Sequence, residues 1–310
     1  MKKSTIAIVI PVFNVENYVK QTLESVKNQL SQPDEVIVIN DGSTDSSSKI
    51  IDEYSNFKSW KTIHQNNQGL GSTRNLGRSI TKCEYTYFLD SDDIVKNDFI
   101  LKMHETINKY NKPDMILFSG KSFSTSKNKK TPNLKFSFDG QYFPNSKLIT
   151  KLVKKRESFP QVSRYITKNL LWSKNKLDYP KGAGQDDAVF FPLLALSENT
   201  VVLSESYYSY RVGRPGSVTS KIPDSIYAED YLNLIKSTLW FMTKNYDLIK
   251  ADIWAWNYRL ERRGLKYVSM CLKTNSPISW KTILNLCRKF KNISFPLKLL
   301  WRILMHLLKR

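Results

Sequence analysis

The sequence predicts an α/β fold in which a mainly parallel sheet is flanked by helices and followed by a C-terminal helical extension. Over the first 120 residues, short apolar runs alternate with segments of helical periodicity. The apolar runs are continuous, as is typical of parallel strands that are buried on both faces. From about residue 225 onwards the spacing is helical. These three observations define the fold class.

The first half of this pattern predicts two strands and two helices. Residues 6–9 form an apolar, β-branched run that ends near Pro11. Apolar residues at helical spacing between positions 18 and 30 predict the first helix. The run EVIVIN at 35–40 is the second strand, and residues 46–54 are the second helix.

The second half continues the alternation. A short strand is predicted at 61–64 and a helix at 73–80, where two glycines in the preceding loop permit a tight turn. YTYFL at 85–89 is the next strand, residues 98–110 form a helix, and MILF at 115–118 is a further strand. The βαβα order places the carboxyl ends of the parallel strands at one edge of the sheet.

Polar residues follow three of these strands. They are Asn14 after the first, Asp41 after the second, and Asp90, Asp92 and Asp93 after YTYFL. Ligands of such sheets bind beyond the carboxyl ends of the strands. Carboxylates crowded there repel one another unless a cation lies between them, and oxygen ligands favour Mg²⁺ or Mn²⁺. Each turn taken alone also fits an ordinary turn or a helix cap.

Four segments in this order carry a family resemblance, namely IVIPVFNVENYVKQTLESVKNQ, EVIVINDGSTDSS, NNQGLGSTRNLG and YTYFLDSDD. They resemble the nucleotide-binding half of inverting family-two glycosyltransferases, which have the Rossmann-like GT-A fold. The resemblance covers residues 5–118 and resumes at 161–219 with KGAGQDDAVF and YYSYRVGRPGSVTS. It implies transfer of a sugar from a nucleotide-sugar, expected to be a UDP-sugar, to a hydroxyl of a glycan, lipid-linked or protein-linked acceptor in bacterial surface polysaccharide or glycoconjugate synthesis.

The resemblance also implies roles for the acidic residues at the sheet edge. Asp92 is expected to bind Mn²⁺ or Mg²⁺ directly, and Asp90 to lie near the ribose or a metal-bound water. Asp93 is expected to cap the following helix. Asp41 matches the position that accepts a hydrogen bond from the nucleotide base.

Further residues are expected to contact the nucleotide. Pro11 and Phe13 match the loop that packs on the base, although Phe13 also fits a place in the core. Arg74 matches a recurrent arginine near the nucleotide, with a surface pair to an aspartate as the alternative. Arg211, Arg214 and Ser217 lie in a basic loop that resembles one closing over the diphosphate; the alternative is a solvated loop.

An inverting transfer needs one general base to deprotonate the acceptor hydroxyl. The resemblance makes Asp187 that base and Asp186 its acidic neighbour, and the alternative for either is capping of the helix AVFFPLLAL. Trp172 and Tyr179, which precede this motif, are expected to flank the approach to the base. Each fits either stacking on acceptor sugar rings or a place in the core.

The net charge of +20 is unevenly distributed. Residues 1–100 contain 11 Lys and Arg against 13 Asp and Glu, whereas 262–310 contain 12 Lys and Arg and no acid. Residues 295–310 (FPLKLLWRILMHLLKR) form a basic amphipathic helix that is too short to span a bilayer. This pattern predicts binding to an anionic membrane surface; packing on the protein's own domain or a homo-oligomer through the same helices is the alternative.

The three cysteines are odd in number and far apart, which favours reduced thiols in a cytoplasmic protein. No apolar run reaches about 18 residues, so no membrane-spanning helix is expected. Together with the basic tail, this predicts a cytoplasmic protein peripherally associated with the inner face of the cell membrane. The predicted organisation is a catalytic domain at 1–222, with a nucleotide-sugar-binding half at 1–118 and an acceptor-binding half at 119–222, followed by a basic helical module at 223–310.

Two other classes of protein fit some of these features. A nucleotidyltransferase-like enzyme shares the parallel sheet and the metal-binding aspartates, but it would need a glycine-rich triphosphate loop near the N-terminus, which PVFNVENYV does not contain. A nucleic-acid-binding protein would use the basic tail. The apolar faces of the tail are too continuous for that role, so no nucleic-acid partner is expected.

Overall fold

Strands and helices alternate along the first half of the chain, as the apolar pattern predicts. The computed structural model describes residues 4–124, 132, 134–157, 161–180, 186–214, 225–289 and 294–307, with backbone only at 186, 187, 294, 301, 302 and 304–307. The strands are β1 (Ile6–Val12), β2 (Glu35–Asp41), β3 (Trp60–Gln65), β4 (Tyr85–Phe88), β5 (Ile94–Val95), β6 (Met115–Ser124), β7 (Gly140–Tyr142), β8 (Tyr165–Lys168) and β9 (Thr200–Val212).

The helices flank this sheet and then form the C-terminal module. They are α1 (Val19–Lys27), α2 (Ser47–Asp52), α3 (Leu70–Ile80), α4 (Phe99–Lys109), α5 (Leu148–Lys154), α6 (Asn169–Lys174), α7 (Asp186–Leu196), α8 (Ser225–Lys244), α9 (Tyr246–Ile249), α10 (Ile253–Thr274), α11 (Trp280–Lys289) and α12 (Ser294–Leu307). Short 3₁₀ turns occur at Val162–Arg164 and Lys250–Asp252.

The described strands form one sheet in the order β3-β2-β1-β4-β8-β6-β9-β5, and β7 pairs with β9. The segment β3-β2-β1-β4 is parallel throughout, which confirms the βαβα prediction. Beyond it the sheet is mixed, because β8 runs antiparallel between β4 and β6. Strand β9 is parallel to β6, with register shifts on either side of Ser119.

Alternate side chains of β1 enter two separate cores, as the pleat of a strand requires. Ile8 and Ile10 pack beneath α1 and α4, whereas Val9 faces the other side. On that side α3 lies so close that a Cβ atom on Gly77 would overlap the methyl groups of Val9. Helices therefore cover both faces of the sheet, as the sequence predicts.

The C-terminal helices continue the core of the Val9 face. Trp256 and Leu260 of α10 belong to the same apolar cluster as Phe190 and Phe191 of α7. Leu286 of α11 also joins this cluster. Helix α7 is therefore held between the sheet and the helical module. No helix in the described part of the chain is long and apolar enough to cross a membrane.

Candidate active site

The loops that follow β1 and β2 are tied together at the carboxyl edge of the sheet. The side-chain oxygen of Asn14 accepts a hydrogen bond from the Thr44 backbone N–H at 2.8 Å, and the Asn14 N–H donates to Ser43 Oγ at 3.1 Å. Pro11 is buried at the end of β1, whereas Phe13 is 46% exposed. Phe13 is therefore not a core residue, and its ring lies at the surface beside the loop that carries Asn14.

Asp41 ends β2 and is almost fully buried. Its Oδ1 accepts hydrogen bonds from Gln65 Nε2 at 2.7 Å and from the Gln68 backbone N–H at 2.8 Å. Its Oδ2 accepts from the backbone N–H of Gly69 at 2.9 Å. Gly69 has φ +84° and precedes α3, so the turn into that helix requires glycine, as the sequence predicts. Asp41 thus fixes the start of α3, and any bond to a nucleotide base would be an additional one.

Arg74, in the second turn of α3, joins this helix to the acidic loop after β4. Its Nη2 donates to Asp90 Oδ1 at 2.7 Å, and its guanidinium lies 5.3 Å from the centre of the Tyr179 ring. The arginine is only 2% exposed, so it is not a surface residue. The pair with an aspartate that the sequence offered as an alternative is present, but it joins a buried arginine to the partly exposed Asp90 within the candidate site.

Asp92 forms an ion pair with Arg214, whose Nε donates to the Asp92 carboxylate. The Arg214 side chain is 14% exposed and that of Asp92 is 13% exposed. Burial raises the pKa of Asp92 above its usual value, the Arg214 guanidinium lowers it, and the neighbouring Asp90 carboxylate raises it. Asp92 is thus a desolvated carboxylate that needs a positive partner to stay ionised.

Asp93 has a structural role other than the helix cap that the sequence suggested. Its Oδ1 accepts from the Arg211 backbone N–H at 2.7 Å, and its Oδ2 accepts from the Tyr208 hydroxyl. Residue Asp98, not Asp93, occupies the N-cap position of α4. The expectation for Asp93 was wrong because its side chain turns inward to β9. Burial raises its pKa well above the ordinary range, and the Asp92 and Asp90 charges raise it further.

Arg211 is held against the acidic loop from several sides. Its Nε donates to the Asp92 backbone carbonyl at 2.8 Å and its Nη2 to Gln21 Oε1 at 2.6 Å. The guanidinium also lies 5.1 Å from the centre of the Tyr18 ring. Only 5% of the residue is exposed, so Arg211 is not a solvated loop residue in this structure. Gln21 and Tyr18 lie in the first of the four family-like segments, but no sequence pattern indicates that either of them belongs to this site.

Three other predicted residues fall partly or wholly outside the described part of the chain. Asp186 and Asp187 are the first two residues of α7, but their side chains are not described. Ser217 lies outside the described residues.

Trp172 and Tyr179 are both buried in the core, so neither ring is available to stack on an acceptor sugar.

The carboxylates that could hold a divalent cation are Asp90 and Asp92. In the part of the chain that the structure describes, no three His, Cys, Asp or Glu side chains group closely enough to hold a metal. Mg²⁺ in nucleotide sites is commonly bound by one or two carboxylates, with phosphate oxygens and waters as the other ligands. The two aspartates fit this partial ligand set. The adjacent Arg74, Arg211 and Arg214 supply the positive charge that a diphosphate needs.

Comparison with known proteins assigns a family to this arrangement. The family model "Glycosyl transferase family 2" matches residues 7–175, which include Asp41, Arg74, Asp90 and Asp92. The chain is 31% identical over 220 residues to the glycosyltransferase GlyA of Streptococcus pneumoniae serotype 4, a match that covers 69% of this chain and 31% of GlyA.

A second relative and a solved structure agree with this match. The chain is 29% identical over 245 residues to a poly(ribitol-phosphate) beta-glucosyltransferase of Bacillus spizizenii, covering 75% of this chain and 37% of the relative. This chain therefore spans about a third of the length of these two relatives. The structure of S. aureus TarS 1–349 in complex with UDP-GlcNAc covers 86% of both chains with a TM-score of 0.65 and 18% identity. That similarity shows that the fold is the GT-A fold.

Proposed function

The chain belongs to glycosyl transferase family 2, and we propose that it is a metal-dependent, inverting glycosyltransferase with a UDP-sugar as its donor. The observation that carries the proposal is the convergence of Arg74, Asp90, Asp92, Arg211 and Arg214 at the carboxyl edge of the sheet. Buried arginines beside paired carboxylates suit a ligand that brings both a diphosphate and a cation.

The nucleoside half of the donor is proposed to lie over the loops that follow β1 and β2. The ring of Phe13 is exposed beside these loops, and Pro11 is buried near the end of β1. Asp41 is buried at the same edge, and a carboxylate there can accept from the ring N–H of uracil. The UDP-GlcNAc bound in the TarS structure supports the choice of a UDP-sugar donor.

The diphosphate is proposed to lie between the aspartates and the arginines. A divalent cation held by Asp92, with Asp90 close by, would stabilise the negative charge that develops on the leaving diphosphate. Arg214 is well placed to exchange partners, because it already forms an ion pair with the Asp92 carboxylate. Arg74 holds Asp90 in position from α3.

The acceptor hydroxyl is proposed to lose its proton to Asp187, with Asp186 as the acidic neighbour. Both residues begin α7, where a helix N-terminus favours the ionised form of a carboxylate. Helix α7 is fixed from behind by Phe191, whose ring meets that of Trp256 edge-on at 6.0 Å. A firmly packed helix suits a base that must be positioned within hydrogen-bond reach of its substrate.

The acceptor is proposed to be a glycan or a lipid-linked or protein-linked saccharide in bacterial surface polysaccharide or glycoconjugate synthesis. The printed name of the Bacillus spizizenii relative, a poly(ribitol-phosphate) beta-glucosyltransferase, supports a cell-surface polymer as the acceptor class. We also propose a cytoplasmic protein that attaches peripherally to the inner face of the membrane through its basic C-terminal helix. In the structure α12 packs on α10 through Phe295 and Leu299, while Leu297 and Leu300 remain exposed.

A donor screen tests the proposed activity. Thermal unfolding is measured with UDP-, GDP- and dTDP-sugars, each with and without Mn²⁺, and release of nucleoside diphosphate is measured in parallel. We expect stabilisation and slow hydrolysis with a UDP-sugar, and we expect both to require Mn²⁺. Equal stabilisation with and without chelator would contradict the metal-dependent mechanism, and the absence of a response to every nucleotide-sugar would contradict the activity.

A further inference from the structure

Exposed tryptophans occur in one part of the molecule. Among the tryptophans whose side chains are described, Trp60, Trp172 and Trp256 are buried. In contrast Trp240, Trp254 and Trp280 are 63%, 48% and 51% exposed, and all three lie in the C-terminal helices. A large aromatic surface held in water has a free-energy cost, so each of these positions is a candidate for part of an interaction site.

One of these tryptophans begins a continuous row along α10. Trp254, Tyr258, Arg262 and Lys266 are exposed and follow one another at intervals of four residues. The rings of Trp254 and Tyr258 stack with their centres 5.4 Å apart, and the Arg262 guanidinium lies 5.9 Å from the Tyr258 ring. From α5, Lys154 extends its ammonium to within 5.5 Å of the Trp254 ring. Cations therefore flank the aromatic pair on both sides.

Helix α12 lies beside the part of α10 that carries this row. Lys298 Nζ donates to Glu261 Oε1 at 2.6 Å, which places α12 beside the residue that precedes Arg262. On either side of Lys298, Leu297 and Leu300 are 57% and 62% exposed. We name the combined surface the α10 strip; it consists of Lys154, Trp254, Tyr258, Arg262, Leu297 and Leu300.

The acids that border the α10 strip already have partners. Glu261 pairs with Lys298, and its side chain is only 15% exposed. Asp252 accepts a hydrogen bond from the Thr150 backbone N–H at 2.7 Å. Glu261 is also the last carboxylate of the sequence, so the chain that follows adds only positive charge. The surface thus combines apolar, aromatic and cationic groups.

We infer that the α10 strip lies against an anionic lipid bilayer and sets the orientation of the enzyme on it. Trp and Tyr rings are favoured at the boundary between headgroups and acyl chains, where one edge is apolar and the other hydrated. Lysine and arginine near an anionic leaflet gain electrostatic energy, and exposed leucines gain by leaving water. The inference rests on the proposed membrane association and identifies the folded surface that would make it.

A polyanionic glycan is the other partner that this surface could attract. Cations and stacked aromatic rings could bind such a glycan as well as they could bind a bilayer. Leu297 and Leu300 favour the bilayer, because they have no hydrogen-bonding groups to offer to a hydrated polymer. Loss of binding to such a polymer, with vesicle binding unchanged, is therefore the outcome that would replace the bilayer by a glycan.

The test uses the full chain and two double variants of the α10 strip. Trp254→Ala with Tyr258→Ala removes the aromatic pair, and Lys154→Gln with Arg262→Gln removes the charges. A matched control is Phe57→Ala with Lys27→Gln, which removes an exposed cation–aromatic pair, 5.2 Å apart, from the nucleotide-binding half. Co-sedimentation is measured with vesicles of phosphatidylcholine alone and with a 3:1 mixture of phosphatidylcholine and phosphatidylglycerol. Thermal unfolding verifies that each variant is folded.

We expect the wild type and the control to bind the anionic vesicles, and each strip variant to bind about tenfold more weakly or worse. If the strip variants bind like wild type while a chain lacking residues 301–310 does not, the strip is wrong and the membrane proposal stands. If the wild type does not bind either kind of vesicle, both the strip inference and the proposed membrane association are wrong. Binding to dextran sulfate, a polyanionic glycan, is measured in parallel. If the strip variants lose only this binding and still bind the anionic vesicles, the strip binds a polyanionic glycan and the bilayer inference is overturned.

Discussion

Arg214 donates a hydrogen bond from Nε to the carboxylate of Asp92, so the arginine expected to bind diphosphate is paired with the aspartate expected to bind metal. The pair is largely buried, and burial alone would favour a neutral Asp92. Arg214 therefore offsets part of the effect of burial and lowers the pKa of the Asp92 carboxyl relative to burial alone. Binding of a metal–diphosphate complex can replace that contact with two others, one to each partner.

This exchange predicts opposite effects of Arg214→Gln on two affinities. Without nucleotide, the variant should bind Mn²⁺ more tightly, because no guanidinium competes for Asp92. Its affinity for UDP in the presence of Mn²⁺ should fall by about tenfold or more, the usual effect of losing a charge-assisted hydrogen bond. Isothermal titration calorimetry measures both. Arg78→Gln is the control, because Arg78 pairs with Asp178 outside the candidate site. A change of the same sign in both affinities would contradict the exchange.

The second prediction concerns the catalytic base. Asp187→Asn should lower turnover by ~10²-fold or more, because the acceptor hydroxyl loses its proton acceptor. The affinity for the donor should change little, since the base acts on the acceptor. Steady-state kinetics and donor titration separate the two effects. An inactive Asp186→Asn variant beside an active Asp187→Asn variant would move the assignment by one residue.

The third prediction tests the packing of α3 on the sheet. Gly77→Ala should lower the free energy of unfolding by about 1–3 kcal/mol, because its new methyl group overlaps Val9 and closely approaches Ile39. Chemical denaturation measures the change. Ser79→Ala, at an exposed position of the same helix, should leave stability nearly unchanged. Equal stability of the Gly77 variant would mean that α3 is not packed this tightly.

The fourth prediction concerns the C-terminal helix and depends on where the truncation begins. Removing residues 295–310 would also remove Phe295 and Leu299, which are buried, and so would destabilise the fold. Removing only residues 301–310 keeps both side chains and leaves the α10 strip complete. The shorter truncation should hydrolyse the donor like wild type but bind anionic vesicles more weakly. If it still binds vesicles and instead changes its mass in solution, the helix serves homo-oligomer assembly.

The parallel half of the sheet was predictable because each of its strands is a continuous apolar run that a helix separates from the next. Strands β8 and β9 were not predicted as strands. Strand β9 (TVVLSESYYSYRV) has neither a continuous apolar run along its whole length nor a regular alternation, and β8 has only four residues. Both are defined by pairing with strands that are distant in sequence, such as β9 with β6. Local periodicity contains no information about such pairing.

In the candidate site, too, local motifs were predictable from the sequence and long-range contacts were not. Asp41, Asp90 and Asp92 lie in motifs at strand ends and Arg74 lies in the family-like segment of α3, and the structure places them at one edge. The partners of Arg211 and Asp93 could not be inferred. Gln21 and Tyr208 lie within the family-like segments, but they are 190 and 115 residues away along the chain, and no sequence pattern indicates these pairings. The ion pair of Arg214 with Asp92 likewise spans 122 residues.

The most direct test of the central claim is Mn²⁺-dependent UDP binding by Asp92→Asn, measured by calorimetry beside the wild type. The account predicts that the wild type binds UDP with Mn²⁺ and weakly without it, and that the variant binds equally weakly in both conditions. It also predicts that the variant transfers no sugar while its thermal unfolding shows an intact fold. A variant that keeps wild-type, Mn²⁺-dependent UDP binding would contradict the assignment of Asp92 as the residue that holds the metal.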